Sequence, residues 1–183
     1  MKRKQEDITA RLRHGDRLAQ RDFYRQHARQ VYSTCLRITG NRFDAEEATQ
    51  DAFLRMFHGI SSFEGRSDIT LWIRNIAVRC AIDTIRSRTD FCPFDDNMDM
   101  PDECEEQELT ECEAASLDVQ LIKRAMTRLP EGYRAVLSLL LFEGYDREET
   151  AEILHLQPST VRTQYIRGKK RLLDIIAEIK NNG

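Results

Sequence analysis

The chain has 183 residues, 40% hydrophobic and 32% charged, which suits one ordinary domain or two small soluble ones. Only 8 Gly and 4 Pro leave few breakers, favouring long helices over a many-turned β fold. The net charge of −3 hides an asymmetry: residues 1–90 carry 17 Lys+Arg against 12 Asp+Glu, residues 91–120 none against 11, and residues 121–183 11 against 8.

No apolar run approaches the roughly 18 residues of a membrane span, and the basic start has no apolar stretch behind it. No signal peptide and a cytoplasmic location are therefore expected. The five cysteines (Cys35, Cys80, Cys92, Cys104, Cys112) form no CxxC pair, and the four His are scattered. That spacing predicts reduced thiols and no zinc site.

In chain order, Tyr24, Ala28, Val31 and Cys35 form a first helical stripe that ends at Gly40-Asn41. Asp44 stands three residues before Glu47, a spacing like a capping box, and opens a helix carrying Ala48, Ala52, Phe53, Met56 and Phe57. Residues 58–68, HGISSFEGRSD, read as a loop able to accept an extruded base, or as an ordinary interhelical connection. Ile69, Trp72, Ile73, Ile76, Ala77 and Cys80 make the core stripe of the next helix, with Arg74, Asn75, Arg79 and Arg86 on its other face. Residues 91–120 hold two Pro and many acids and read as a solvated spacer, roughly 30 Å across as a coil.

Beyond it, Leu121, Ile122, Ala125, Met126 and Leu129 predict a helix closed by Pro130. Val136, Leu137, Leu140 and Leu141 predict another, stopped at Gly144. Asp146 and Glu149 repeat the capping-box spacing and open a helix through Leu154. After the short HLQP turn, residues 159–171 contain Arg162, Arg167, Lys169, Lys170 and Arg171 and no acid. Pro158 suits a first helical position, with either Gln157 or Ser159 as cap. A capped helix, a tight turn and a basic second helix make the helix-turn-helix pattern. Ser159, Thr160, Thr163 and Gln164 supply short polar groups for base edges, and the basic later turns supply phosphate contacts. The competing reading is an amphipathic surface helix.

No phosphate-loop, HExxH or GxSxG motif occurs, so no catalytic residue, metal or cofactor is expected. The acids at 103–113 lie on a Pro-flanked segment without the fixed frame a cation site needs.

Together these segments resemble the extracytoplasmic-function (ECF) sigma factors, promoter-recognition subunits of bacterial RNA polymerase. DAEEATQDAFLRMF at 44–57 resembles the part that docks on the polymerase clamp. SDITLWIRNIAVRCAIDTIRSR at 67–88 resembles the helix that contacts and opens the minus-ten element, and residues 129–172 resemble the reader of the minus-thirty-five element. The resemblance implies an all-α protein of two small helical domains, 1–90 and 121–183, joined by a flexible acidic linker, 91–120. It implies core RNA polymerase and promoter DNA as partners, and an anti-sigma factor as a further one. By position it gives Asp44, Glu47, Gln50, Asp51 and Phe53 to the polymerase. Ser61, Ser62, Phe63, Arg66, Ser67, Arg74, Asn75, Arg79 and Arg86 go to the downstream element. Ser159, Thr160, Arg162, Thr163, Gln164, Arg167, Lys169 and Lys170 go to the upstream one. It also implies that the acidic linker threads into polymerase near the path of nascent RNA.

Three residues depart from the family pattern. Arg79 replaces a usual Asn, making that contact electrostatic. His155 replaces the usual Gly of the turn, at a cost if the position needs positive φ. Thr150 replaces Ile and puts a hydroxyl where burial is expected. Trp72, within its stripe, is expected in the core rather than stacked on a base. The alternatives are a helix-turn-helix regulator acting without polymerase, or an adaptor with no DNA role.

Overall fold

The computed structural model describes residues 2–65, 67–88 and 119–181. Among them there are eight α-helices and no strand, so the protein is all-α. They fall into two compact units that divide after Ser87.

The N-terminal unit contains α1 (Lys2–Arg13), α2 (Arg17–Thr39), α3 (Arg42–Gly59), a 3₁₀ turn (Ile60–Ser62) and α4 (Ile69–Arg86). Asp16 caps α2 by accepting the Leu18 and Ala19 N–H groups at 2.9 and 3.2 Å, and the Arg11 guanidinium beside it lowers its pKa. Gly40 ends α2 at φ 74°, its N–H donating to the Leu36 carbonyl at 2.9 Å. The expected capping role of Asp44 is corrected: Asn41 is the cap, its Oδ1 accepting the Asp44 N–H at 2.9 Å, so α3 starts earlier. The core joins Phe23, Val31, Cys35 and Ile38 of α2, Ala45, Ala48, Ala52 and Met56 of α3, and Ile73, Ala77, Ile82 and Ile85 of α4. Small alanines along α3 let three helices pack closely. The first stripe is also corrected, because Phe23 is buried while Tyr24 is 43% exposed and rests on Phe53, ring centroids 4.6 Å apart.

The C-terminal unit contains α5 (Val119–Arg128), α6 (Glu131–Leu137), a π-helical turn (Ser138–Glu143), α7 (Arg147–Leu154) and α8 (Pro158–Asn181). Ala125, Met126, Leu129, Tyr133 and Leu137 form one core with Leu172, Ile175, Ile176 and Ile179 of α8. Gly168 marks the closest approach: a Cβ there would stand 3.1 Å from Tyr133 Cβ, so only a hydrogen fits comfortably. The buried Arg134 donates to the Leu129 carbonyl at 2.6 Å, closing the end of α5. Leu139 takes the core place expected of Leu141, which is 50% exposed. The π-helical turn changes the phase of the α-helical stripe, so Leu141 no longer follows Leu137 on the inward face. Gly144 stops the π turn at φ 74°.

Candidate nucleic-acid interface

The helix-turn-helix forms as the spacing predicts. Asp146 accepts the Glu149 N–H at 2.8 Å and Glu149 accepts the Asp146 N–H at 2.9 Å, a complete capping box. His155 closes α7 in the left-handed region, φ 51° and ψ 46°, and is the one non-Gly residue with positive φ among those described. Leu156 N–H then returns to the Ala151 carbonyl at 2.9 Å, and the Gln157 carbonyl accepts the Val161 N–H at 3.1 Å. Gln157 is thus the residue preceding the helix, and Pro158 is its first member. Thr150 is fully buried, and its Oγ1 has no hydrogen-bond partner.

Helix α8 divides its side chains sharply. Val161, Gln164, Gly168 and Leu172 face the core. Ser159, Thr163, Ile166 and Lys170 follow one another at three- and four-residue intervals on the opposite side, with Arg162 exposed on one flank. Thr160 and Lys169 are half-buried beside that line. Gln164, expected among the base-reading residues, is corrected: it is 1% exposed and belongs to the core. Arg167 is half-buried, with its Nη1 enclosed and lacking a hydrogen-bond partner. Ile166 was missed by the polar reading, although its spacing from Thr163 and Lys170 signals it. An apolar side chain there suits contact with a thymine methyl.

In the N-terminal unit, Asn75 and Arg79 are exposed and Arg86 half-exposed along one side of α4. Arg74 is corrected: it sits against α2 in a recess lined by His27, Gln30, Val31, Thr34, Thr70 and Ile73, away from that line. Ser61, Ser62 and Ser67 are exposed, and Asp68 caps α4 by accepting the Thr70 N–H at 2.7 Å. Phe63 is corrected as a DNA-facing residue. It is 7% exposed and its ring lies 5.0 Å from that of Trp72, which is half-buried rather than part of the core. Arg66 lies outside the described residues.

On α3, Glu47, Gln50 and Asp51 are exposed as expected. Asp44, tied into the cap, and Phe53, at 3% exposure, are buried and leave the polymerase-facing set. Phe43 and Leu54 are exposed instead, in line with Glu47 and Gln50, so apolar residues end a polar strip. Arg55 joins Asp51 at 3.1 Å to Asp83 of α4 at 2.9 Å, and the bond to Asp83 is the main cause of its raised pKa. Burial pushes the Cys80 thiol up to about 11, so it stays protonated at neutral pH. Among the described residues, no three His, Cys, Asp or Glu are grouped to hold a metal, and no helix is long and apolar enough to cross a membrane.

Comparison with known proteins agrees with this geometry. Residues 23–91 match the model for Sigma-70 region 2, and residues 120–172 that for Sigma-70, region 4. The ECF RNA polymerase sigma factor SigX of Bacillus subtilis is 31% identical over 158 residues, covering 81% of this chain and 79% of SigX. This chain belongs to the ECF family of RNA polymerase sigma factors. The ECF sigma factor SigE of Mycolicibacterium smegmatis is 28% identical across 86% of this chain, which spans 61% of that relative's length. Among solved structures, the sigma factor RpoE of Bartonella quintana, in complex with the anti-sigma factor NepR, aligns with a TM-score of 0.53 at 20% identity. That alignment covers 85% of this sigma factor and 97% of RpoE, and supports the shared helical fold.

Proposed function

We propose that this sigma factor brings core RNA polymerase to promoters by reading an upstream element with α8 and a downstream, opened element with the 61–68 loop and α4. The observation that carries this reading is the division of α8. One face is committed to the core, and the other presents Ser159, Arg162, Thr163 and Lys170 from a helix set by a capped α7 and a left-handed turn. Short polar groups near the start of such a helix suit base edges, and later cations suit phosphates.

In the N-terminal unit, Asn75, Arg79 and Arg86 lie along the DNA, and the exposed serines of the loop border the place for an extruded base. The strip of Glu47, Gln50 and Asp51, ended by Phe43 and Leu54, meets the polymerase. The protein makes no covalent bond itself, since binding and strand capture supply the work. It acts in the cytoplasm, where core polymerase is. An anti-sigma factor is a further partner, as for RpoE of Bartonella quintana, whose structure was solved with NepR.

Transcription in vitro from a promoter-fragment library tests the reading. Core polymerase with this protein should produce start sites absent without it, sharing two spaced upstream elements. Duplex DNA binding with no new start sites would favour a regulator acting alone.

A further inference from the structure

Helix α1 lies before the matched region-2 stretch, which begins at residue 23, yet it reaches the candidate base-capturing loop. Thr9 and Leu12 are buried, fixing the C-terminal half of α1 against the unit. Arg11 turns to its neighbour Asp16 at 2.8 Å, whereas Arg13 crosses 50 residues of sequence to donate from Nη2 to the Phe63 carbonyl. That carbonyl stands where the hydrogen-bonded turn ends. Before it, Phe63 N–H donates to the Ile60 carbonyl at 3.2 Å, Ser62 Oγ donates to the Gly59 carbonyl at 2.7 Å, and Phe63 stacks on Trp72. A Cβ on Gly59 would touch the Trp72 indole at 3.8 Å, so indole, Phe63 ring and turn form one packed unit. After it, Glu64, Gly65 and Ser67 are exposed, with Gly65 at φ 75°.

We propose that Arg13 is a positioning residue for downstream-element recognition: by holding the Phe63 carbonyl, it aims the exposed loop residues that follow at the extruded base. The proposal rests on the reading of the 61–68 loop given above. A guanidinium-to-carbonyl bond is charge-assisted and directional, so it fixes the Phe63 peptide plane more firmly than a neutral bond. Without it, the plane can rotate and Glu64 and Gly65 swing with it, while Phe63 and Trp72 stay packed. A loop that selects a base depends on such prior ordering, because a site about 1 Å too loose no longer holds its contacts in the productive geometry.

The test uses the full chain assembled with core polymerase. Its probes are non-template-strand oligonucleotides carrying the minus-ten element of a promoter this holoenzyme transcribes, with single-base variants at each position. Arg13→Ala should lower the ratio of matched to mismatched affinity roughly three- to tenfold, the scale of one hydrogen bond, with holoenzyme assembly unchanged. Arg13→Lys, which keeps a cationic donor, should retain more of that ratio. Trp72 is the sole tryptophan, so its emission and acrylamide quenching should stay as in the wild type in the free Arg13→Ala chain, because its packing on Phe63 persists. An unchanged ratio, an equal loss on every oligonucleotide, or failure of Arg13→Ala to assemble would overturn the proposal and assign Arg13 to the fold alone. A wild-type holoenzyme that does not discriminate among the oligonucleotides would overturn the loop reading and the proposal with it.

Discussion

Helix α8 and the loop at 61–68 present polar side chains to solvent by opposite means. On α8 the backbone ladder itself fixes every direction, so Ser159, Thr163, Ile166 and Lys170 align once Val161, Gly168 and Leu172 are buried. The loop has no such ladder after Phe63. Its shape comes from groups brought in from elsewhere: Arg13 from α1, Trp72 from α4 and the Gly59 carbonyl before it. A reading surface on a helix is robust to changes in its neighbours, whereas one on a loop is only as sharp as its supports.

The largest expected effect tests the helical side. Arg162→Ala should weaken binding to a duplex upstream element by about 1–3 kcal/mol, as for an Arg that contacts a base, and leave single-stranded minus-ten binding alone. Competition assays with each probe read both numbers, and an equal loss on both would erase the distinction between the surfaces. Next comes Thr150→Val, which removes a buried hydroxyl that has no partner. The unfolding midpoint in urea should rise, with a gain of about 1 kcal/mol. Smaller still, His155→Gly should relieve the left-handed turn by a few tenths to about 1 kcal/mol, offset in part by the freer unfolded chain. Upstream-element affinity should hold in both variants, since neither residue lies on the outward face of α8.

The smallest effect tests the loop side. His27 is half-buried, its ring 4.3 Å from Phe23, and burial lowers its pKa below 6.5, against an opposing pull from Asp68 at the cap of α4. The unfolded chain therefore binds the proton more readily, so stability present above pH 6.5 is lost as pH falls through and below that value. Urea midpoints at pH 7.5 and 5.5 should differ in the wild type and differ less in His27→Gln.

How much the sequence revealed follows the same division. The capping box at Asp146 and Glu149, the stop at Gly144, the strained turn at His155 and the basic second helix are local patterns, and each forms as the spacing predicts. Gln164 misled because residue type was read without helical phase: three residues after Val161, it shares the inward face. Arg74 misled for the same reason, being adjacent in sequence to Asn75 but turned toward α2. Phe53 and Asp44 lie in a matched segment, yet along that helix buried pairs (44–45, 48–49, 52–53) alternate with exposed ones, and both fall in buried pairs. The hold of Arg13 on Phe63 had no local signature, because nothing in either residue's surroundings in sequence points across 50 positions.

The two faces of α8 share no residue. Tyr133 and Leu137 meet the helix at Gly168, where its backbone comes so near its neighbour that a side chain hardly fits. The outward positions carry no such constraint. The outward face can therefore change without disturbing the packing of this helix. Randomising Ser159, Arg162, Thr163, Ile166 and Lys170 while leaving Gly168 untouched should leave the scaffold folded in most variants.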